Sequence, residues 1–142
     1  MEGRRDNAGA TLLSKKYLSG KRVALVGSLG YVDLSLMSAL RQHGSRVVGI
    51  CAATSSGLST VCQAQPDLII LYVSRASLAE AIAACAELEH GCRACVVAVA
   101  HLVNEDGLQQ LRHAGAEEVL TTPITAEQII QELLDTPGRR AQ

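Results

Sequence analysis

The sequence predicts an α/β fold in which a five-stranded parallel sheet is covered by helices on both faces. Residues 68–72 form a continuous apolar run without alternation, which is typical of a strand buried on both faces. Five short apolar segments alternate along the chain with five segments of helical periodicity. The connections between them are short, which favours one doubly wound domain with right-handed crossovers.

Composition limits the classes of function. The 142 residues suffice for one domain with a sizeable core. The 13 basic and 14 acidic residues give a net charge of −1, so we expect neither nucleic acid nor a membrane surface as partner. The start of the chain lacks the apolar core of a secretion signal, and no apolar run reaches the roughly 18–20 residues that span a bilayer. We therefore expect a cytoplasmic protein.

The chain divides into three parts by composition. Residues 1–20 are polar and glycine-rich, and we expect a flexible N-terminal leader. Residues 21–135 carry the alternating apolar segments and form the folded domain. Residues 136–142 are expected to be a flexible C-terminal tail.

The strands are predicted where short apolar runs lie between turn residues. In chain order they cover residues 22–26, 46–51, 66–73, 95–100 and 118–121.

The helices are predicted from apolar periodicity and from capping residues at their starts. They cover residues 34–43, 56–64, 77 to at least 88, 105–114 and 126–135. The expected caps are Asp33, Asn104 and two capping boxes, Ser77 with Glu80 and Thr125 with Gln128.

Two blocks of sequence resemble a known family. Residues 66–71 read Pro-Asp-Leu-Ile-Ile-Leu, and residues 114–124 read Ala-Gly-Ala-Glu-Glu-Val-Leu-Thr-Thr-Pro-Ile. With residues 43–49 between the first helix and second strand, their order and spacing resemble the receiver domain of two-component response regulators. The resemblance covers about residues 21–134. It implies a three-layer flavodoxin-like fold of strand order 2-1-3-4-5, with residues 66–73 as the central strand.

The family transfers a phosphoryl group to an aspartate with the help of Mg²⁺. That chemistry needs a carboxylate nucleophile, further carboxylates for the metal and a cation for the developing charge. The matching positions in this chain are Tyr72 for the nucleophile, Gly27 and Ser28 for the acidic pair, Ala100 for the hydroxyl residue, Thr122 for the lysine and Val119 for the aromatic switch.

None of these positions keeps the residue type that the family uses. A shift of one residue does not restore the pattern, because residues 23–32, 68–79 and 94–104 contain no acidic side chain. We therefore expect a degenerate receiver (a pseudo-receiver) that is not an enzyme and has no catalytic residue, metal or cofactor. We also expect the Tyr72 ring to fill the vacated corner over Ala100, and the resemblance implies a cis bond between Thr122 and Pro123.

A receiver without phosphorylation chemistry would act through contacts with other proteins. The expected function is that of an adaptor or scaffold in bacterial signalling. The resemblance implies a protein partner or a homodimer, bound through the fourth helix, fifth strand and fifth helix. The exposed residues expected on that face are Arg112, His113, Glu117, Val119, Glu127 and Gln131.

Two alternatives remain open. The first is a module that binds a nucleotide or another small molecule over residues 27–31 and the strand tips, although the loop lacks the third glycine of a dinucleotide fingerprint. The second is a redox sensor that uses Cys92 and Cys95, which form a Cys-x-x-Cys pair. A zinc site is not expected, because no second pair accompanies it.

The remaining polar and thiol groups have simpler expected roles. His101, at the tip of the fourth strand, is expected to form a hydrogen bond rather than to catalyse. Cys51, Cys62 and Cys85 are expected to be small buried hydrophobic residues.

Overall fold

The computed structural model describes residues 18–27 and 34–135. The predicted cap Asp33 and the site residue Ser28 lie outside these ranges, as do residues 1–17 of the expected leader and the whole expected tail. The strands are β1 (Arg22–Val26), β2 (Arg46–Cys51), β3 (Leu68–Ser74), β4 (Cys95–His101) and β5 (Glu118–Thr121). The helices are α1 (Leu34–Gln42), α2 (Ser55–Gln63), α3 (Leu78–Gly91), α4 (Glu105–Ala114) and α5 (Ala126–Asp135).

The five strands form one parallel sheet in the order β2-β1-β3-β4-β5. Strand β3 is therefore central, as its continuous apolar sequence predicts, and six of its seven residues are buried. The prediction of a three-layer flavodoxin-like fold is confirmed.

The core consists of two aliphatic clusters, one on each face of the sheet. One cluster, called here the α1/α5 cluster, contains Leu68, Ile70 and Tyr72 of β3 with side chains from α1 and α5. The other, the α2–α4 cluster, contains Ile69, Leu71 and Val73 with side chains from α2, α3 and α4. The alternation of side chains along β3 assigns each residue to one of the two faces.

The amino edge of β3 is held by polar contacts that explain its Pro-Asp start. The Asp67 carboxylate accepts a hydrogen bond of 2.9 Å from the backbone N–H of Arg22. The Arg22 guanidinium donates two hydrogen bonds, of 2.8 and 3.1 Å, to the carbonyl oxygen of Ala64 at the end of α2. Asp67 thus has a structural role, far from the carboxyl ends of the strands.

The expected boundary of the leader at residue 20 is wrong. Leu18 is fully buried in the α1/α5 cluster, and its carbonyl oxygen accepts a 2.6 Å hydrogen bond from the Ser45 hydroxyl. The Gly20 backbone N–H donates to the carbonyl of Gly44 at 2.8 Å. The folded domain therefore includes Leu18, because this side chain completes the core beneath α1.

Two of the four predicted helix caps are confirmed, one is wrong, and Asp33 lies outside the described residues. Asn104 caps α4 by accepting from Gly107, and Thr125 and Gln128 exchange two hydrogen bonds at the start of α5. Ser77 does not pair with Glu80. Instead, it forms a capping box with Ser74 around a short 3₁₀ turn, Arg75–Ser77, that precedes α3.

Within the two described ranges, no helix is both long and apolar enough to cross a membrane.

Candidate functional site

The corner at the carboxyl ends of β1, β3, β4 and β5 is the candidate site, because ligands of open α/β sheets bind beyond these ends. Tyr72 occupies the tip of β3 and is 8% exposed. Its ring belongs to the α1/α5 cluster, and its neighbour in register on β4 is Val99. Ala100 lies in the α2–α4 cluster, on the opposite face. The expectation that the ring packs over Ala100 is therefore wrong, because the two side chains alternate to different faces.

Gly27 follows β1 and approaches β3 closely. Its φ of +127° lies in a region that residues with side chains rarely adopt. A Cβ atom added at Gly27 would lie 2.5 Å from the carbonyl oxygen of Tyr72 and 3.1 Å from its Cβ. Because the first of these atoms belongs to the backbone, no side chain fits at Gly27 without movement of a strand.

A cavity of about 220 Å³ lies beside Gly27. It is open to solvent and sits between the β2–α2 connection and the start of α3. The residues that line it are Gly27, Ala52, Ala53, Thr54, Tyr72, Ser77, Glu80 and Ala81. The Tyr72 ring thus fills the corner on the α1/α5 side, and a space remains on the α2–α4 side.

Glu80 is the residue of this corner that sequence reasoning missed. It lies in the first turn of α3 and lines the cavity with an exposed side chain. Its position was assigned to a capping box, because Ser-x-x-Glu before an apolar helix is the usual signature of one. In the structure Ser77 instead pairs with Ser74 around the short 3₁₀ turn, and Glu80 is one of the residues that line the cavity.

A polar bridge joins the tips of β4 and β5. The His101 Nδ1 atom and the Thr122 hydroxyl form a hydrogen bond of 2.8 Å. The expected hydrogen-bonding role of His101 is confirmed. The Thr122–Pro123 bond is cis, as the resemblance implies.

The corner holds few groups that could bind a metal ion. In the described part of the chain, no three His, Cys, Asp or Glu side chains lie close enough together to form a metal site. Hydroxyl groups dominate instead, and those of Thr54 and Ser77 already accept hydrogen bonds from the backbones of Gly57 and Ser74.

The candidate interaction face is largely exposed. Arg112 and His113 lie in the last turn of α4, and Glu127 and Gln131 lie on α5; all four are exposed. Glu117 is half-buried. Val119 is 8% exposed and packs in the α2–α4 cluster, so its inclusion in the face is wrong.

The Cys-x-x-Cys pair is divided between the two faces of the sheet. Cys92 packs against the α2–α4 cluster, whereas Cys95, the first residue of β4, is part of the α1/α5 cluster. Thiols on opposite faces cannot meet the geometry of a disulfide. The redox sensor based on Cys92 and Cys95 is therefore wrong.

Comparison with known proteins gives a fold. No protein-family model and no curated protein sequence matches the chain. The signal receiver domain of a modulated diguanylate cyclase from Desulfovibrio desulfuricans G20 matches with a TM-score of 0.71 at 14% identity, over 87% of this chain and 98% of that one. The receiver domain of the putative response regulator NarL from Mycobacterium tuberculosis matches with a TM-score of 0.71 at 19% identity, over 84% and 98%. The response regulator domain of Thermotoga maritima CheB matches with a TM-score of 0.68 at 21% identity, over 85% and 96%. The chain thus has the fold of a response-regulator receiver domain.

Proposed function

We propose that this chain is a pseudo-receiver, which takes no phosphoryl group and acts as an adaptor or scaffold in bacterial signalling. The observation that carries the proposal is the buried Tyr72 at the tip of the central strand. The resemblance places the nucleophilic aspartate at this position. A phenol has an ordinary pKa near 10 and is neither a carboxylate nucleophile nor a ligand that Mg²⁺ prefers.

The geometry at the end of β1 supports the same proposal. The resemblance places a metal-binding carboxylate at Gly27, where the backbone of Tyr72 leaves no room for a Cβ atom. The change at this position is therefore more than the loss of one side chain. The backbones at Gly27 and Tyr72 lie too close together for a carboxylate side chain to occupy position 27 in this packing.

Glu80 is the one carboxylate that lines the cavity among the described residues. A phosphoryl-transfer site needs a nucleophile and separate groups that hold the metal and stabilise charge on the transferred group. Glu80 could serve in one of these roles, but Thr54 and Ser77 beside it cannot supply the others. Its exposed carboxylate is better explained as a hydrated acid near the amino end of α3, where negative charge is favourable.

The proposed contact surface is the exposed part of α4 and α5, with Arg112, His113, Glu127 and Gln131 as its members. It combines both signs of charge on two helices that lie on opposite faces of the sheet and flank its edge strand, β5. Such a mixed pattern suits a protein surface of complementary charge, which would fix the orientation of the partner.

The surface can be tested with two matched arginines. Arg112 and Arg41 are both exposed and both lie in the last turn of their helices, α4 and α1. Arg112→Glu should abolish the association of the purified chain, measured by light scattering for a homodimer or by co-purification for another protein. Arg41→Glu should leave the association intact. If both variants still associate, or if both lose association to the same extent, the α4–α5 surface is not the contact surface.

A second candidate function is the binding of a small molecule, which the cavity beside Gly27 favours. Its volume of about 220 Å³ lies below the roughly 300–1,000 Å³ of typical ligand pockets. The Glu80 carboxylate would repel a phosphate. The cavity therefore suits a small neutral or cationic molecule better than a nucleotide.

This candidate can be separated from the first by nuclear magnetic resonance. A library of small amines and polyols would be titrated while the backbone amide signals of Ala52, Ala53 and Ala81 are followed. Saturable shifts at these three residues that disappear in Glu80→Ala would support a binding site. Shifts that are absent, or equal in the variant, would leave the cavity as a consequence of packing.

A further inference from the structure

Two cysteines that are distant in sequence lie side by side in the fold. Cys62 belongs to the last turn of α2, and Cys92 is the first residue after α3. Both side chains pack against the α2–α4 cluster, and both are half-buried. Helices α2 and α3 pack against each other, which brings the two residues together.

Cys92 is near enough to Cys62 to influence the pKa of its thiol. Because α2 and α3 run back from the carboxyl edge of the sheet, their ends lie at its amino edge. The pair is thus separated from the Tyr72 corner by the length of the domain. Their 30-residue separation in sequence gives no signal of this contact, which depends on how α2 and α3 pack.

We propose that Cys62 and Cys92 form a reversible disulfide when the chain meets hydrogen peroxide. The peroxide oxygen first oxidises the Cys92 sulfur to a sulfenic acid, and water leaves. The Cys62 sulfur then attacks the Cys92 sulfur, loses its proton, and displaces a second water as the disulfide forms. One peroxide and two thiols thus give one disulfide and two waters, and a reducing dithiol restores the thiols.

The environment of Cys62 explains this order of steps. Burial raises the pKa of Cys62 to about 11, with further increases from the hydrogen bond and charge of Cys92 and from the charge of Glu87. Cys62 is therefore a protonated thiol at neutral pH and a poor first target for the oxidant. Cys62 acts in the second step because the sulfenic acid at Cys92 lies beside it, and this proximity offsets the small thiolate fraction of Cys62.

The other three cysteines lack this arrangement. Cys85 is 1% exposed, and burial together with the charge of Glu89 raises its pKa to about 11. The Cys51 thiol donates a hydrogen bond of 3.4 Å to the carbonyl oxygen of Gly57, a backbone group nearby in sequence. Cys95 lies on the opposite face.

The test treats the purified full chain with hydrogen peroxide, blocks the remaining thiols with an alkylating reagent and maps the disulfides by mass spectrometry. Cleavage after acidic and basic residues releases Cys92 alone in the peptide of residues 90–93, and fragmentation distinguishes Cys62 from Cys51 in its peptide. We expect a linked pair of peptides that contain Cys62 and Cys92. We also expect the loss of two of the five thiols, with full recovery after dithiothreitol.

Variants provide the matched comparison. Cys62→Ser and Cys92→Ser should each prevent the disulfide. Cys51 is also half-buried and packs on the same face of the sheet, so the Cys51→Ser variant is the control and should still form the Cys62–Cys92 disulfide. A disulfide that contains Cys51, Cys85 or Cys95 in the native chain would overturn the proposal. So would oxidation of Cys92 to sulfinic acid with Cys62 still a thiol.

Discussion

Tyr72 has a large ring that is almost completely buried near the carboxyl end of β3. At 8% exposure, its ring lies in an aliphatic cluster that α1 and α5 cover. An aspartate at this position would place a carboxylate among apolar groups on the same face. The burial of an unpaired charge is among the largest sources of destabilisation by a single substitution.

We therefore predict that Tyr72→Asp lowers the free energy of unfolding by about 2–4 kcal/mol and does not restore phosphorylation. Tyr72→Phe keeps the ring and should lower the free energy of unfolding by less than about 1.5 kcal/mol. Urea denaturation of both variants gives the comparison. An aspartate variant of wild-type stability that binds Mg²⁺ would show that a metal site lies hidden beneath the ring.

Gly27 allows a second prediction at the scale of one residue. Gly27→Ala combines a φ of +127° with a Cβ atom 2.5 Å from a backbone oxygen. Gly20 provides a control, because its φ is +77° but no atom lies within 4 Å of an added Cβ. We expect Gly20→Ala to lower the free energy of unfolding by about 1 kcal/mol, from backbone strain alone. Gly27→Ala should lower it by clearly more, because the added Cβ also meets a backbone oxygen. Equal losses in the two variants would mean that the tips of β1 and β3 separate easily.

At the scale of the element, helix capping shows what a sequence pattern can establish. The same Ser/Thr-x-x-Glu/Gln spacing occurs before α3 and before α5, but only Thr125 and Gln128 exchange the two hydrogen bonds. The pattern before α3 failed because Ser74, at the end of β3, competes for Ser77 and forms an extra 3₁₀ turn. A serine three residues earlier was the signal that could have indicated this turn.

The capping difference has a measurable consequence. Thr125→Ala should lower the free energy of unfolding by about 1 kcal/mol, because it removes an N-cap hydrogen bond. Glu80→Ala should change it by less than about 0.5 kcal/mol, because Glu80 is exposed and does not cap α3. Thermal or urea denaturation distinguishes the two. A loss of about 1 kcal/mol in Glu80→Ala would indicate that the carboxylate stabilises the start of the helix after all.

At the scale of the whole molecule, the sheet and its order could be predicted because each strand has a local signature. The continuous apolar run of β3, the Gly44 turn after α1 and the cap of α4 at Asn104 all depend on neighbouring residues. The contacts within the corner depend on packing between distant segments. The face of Tyr72, the approach of Gly27 to β3 and the proximity of Cys62 to Cys92 are of this kind, and spacing along the chain does not determine them.

According to our proposal, this receiver fold takes no phosphoryl group. The direct measurement is the intact mass of the full chain after incubation with acetyl phosphate and MgCl₂, beside a receiver domain that carries the aspartate as a positive control. We predict an unchanged mass for this chain while the control gains a phosphoryl group, because the resemblance assigns the nucleophile and a metal ligand to the positions where this chain has Tyr72 and Gly27. A gain of one phosphoryl group that hydroxylamine removes, and that maps to residues 66–80, would contradict the account and identify Glu80 or a neighbour as the acceptor.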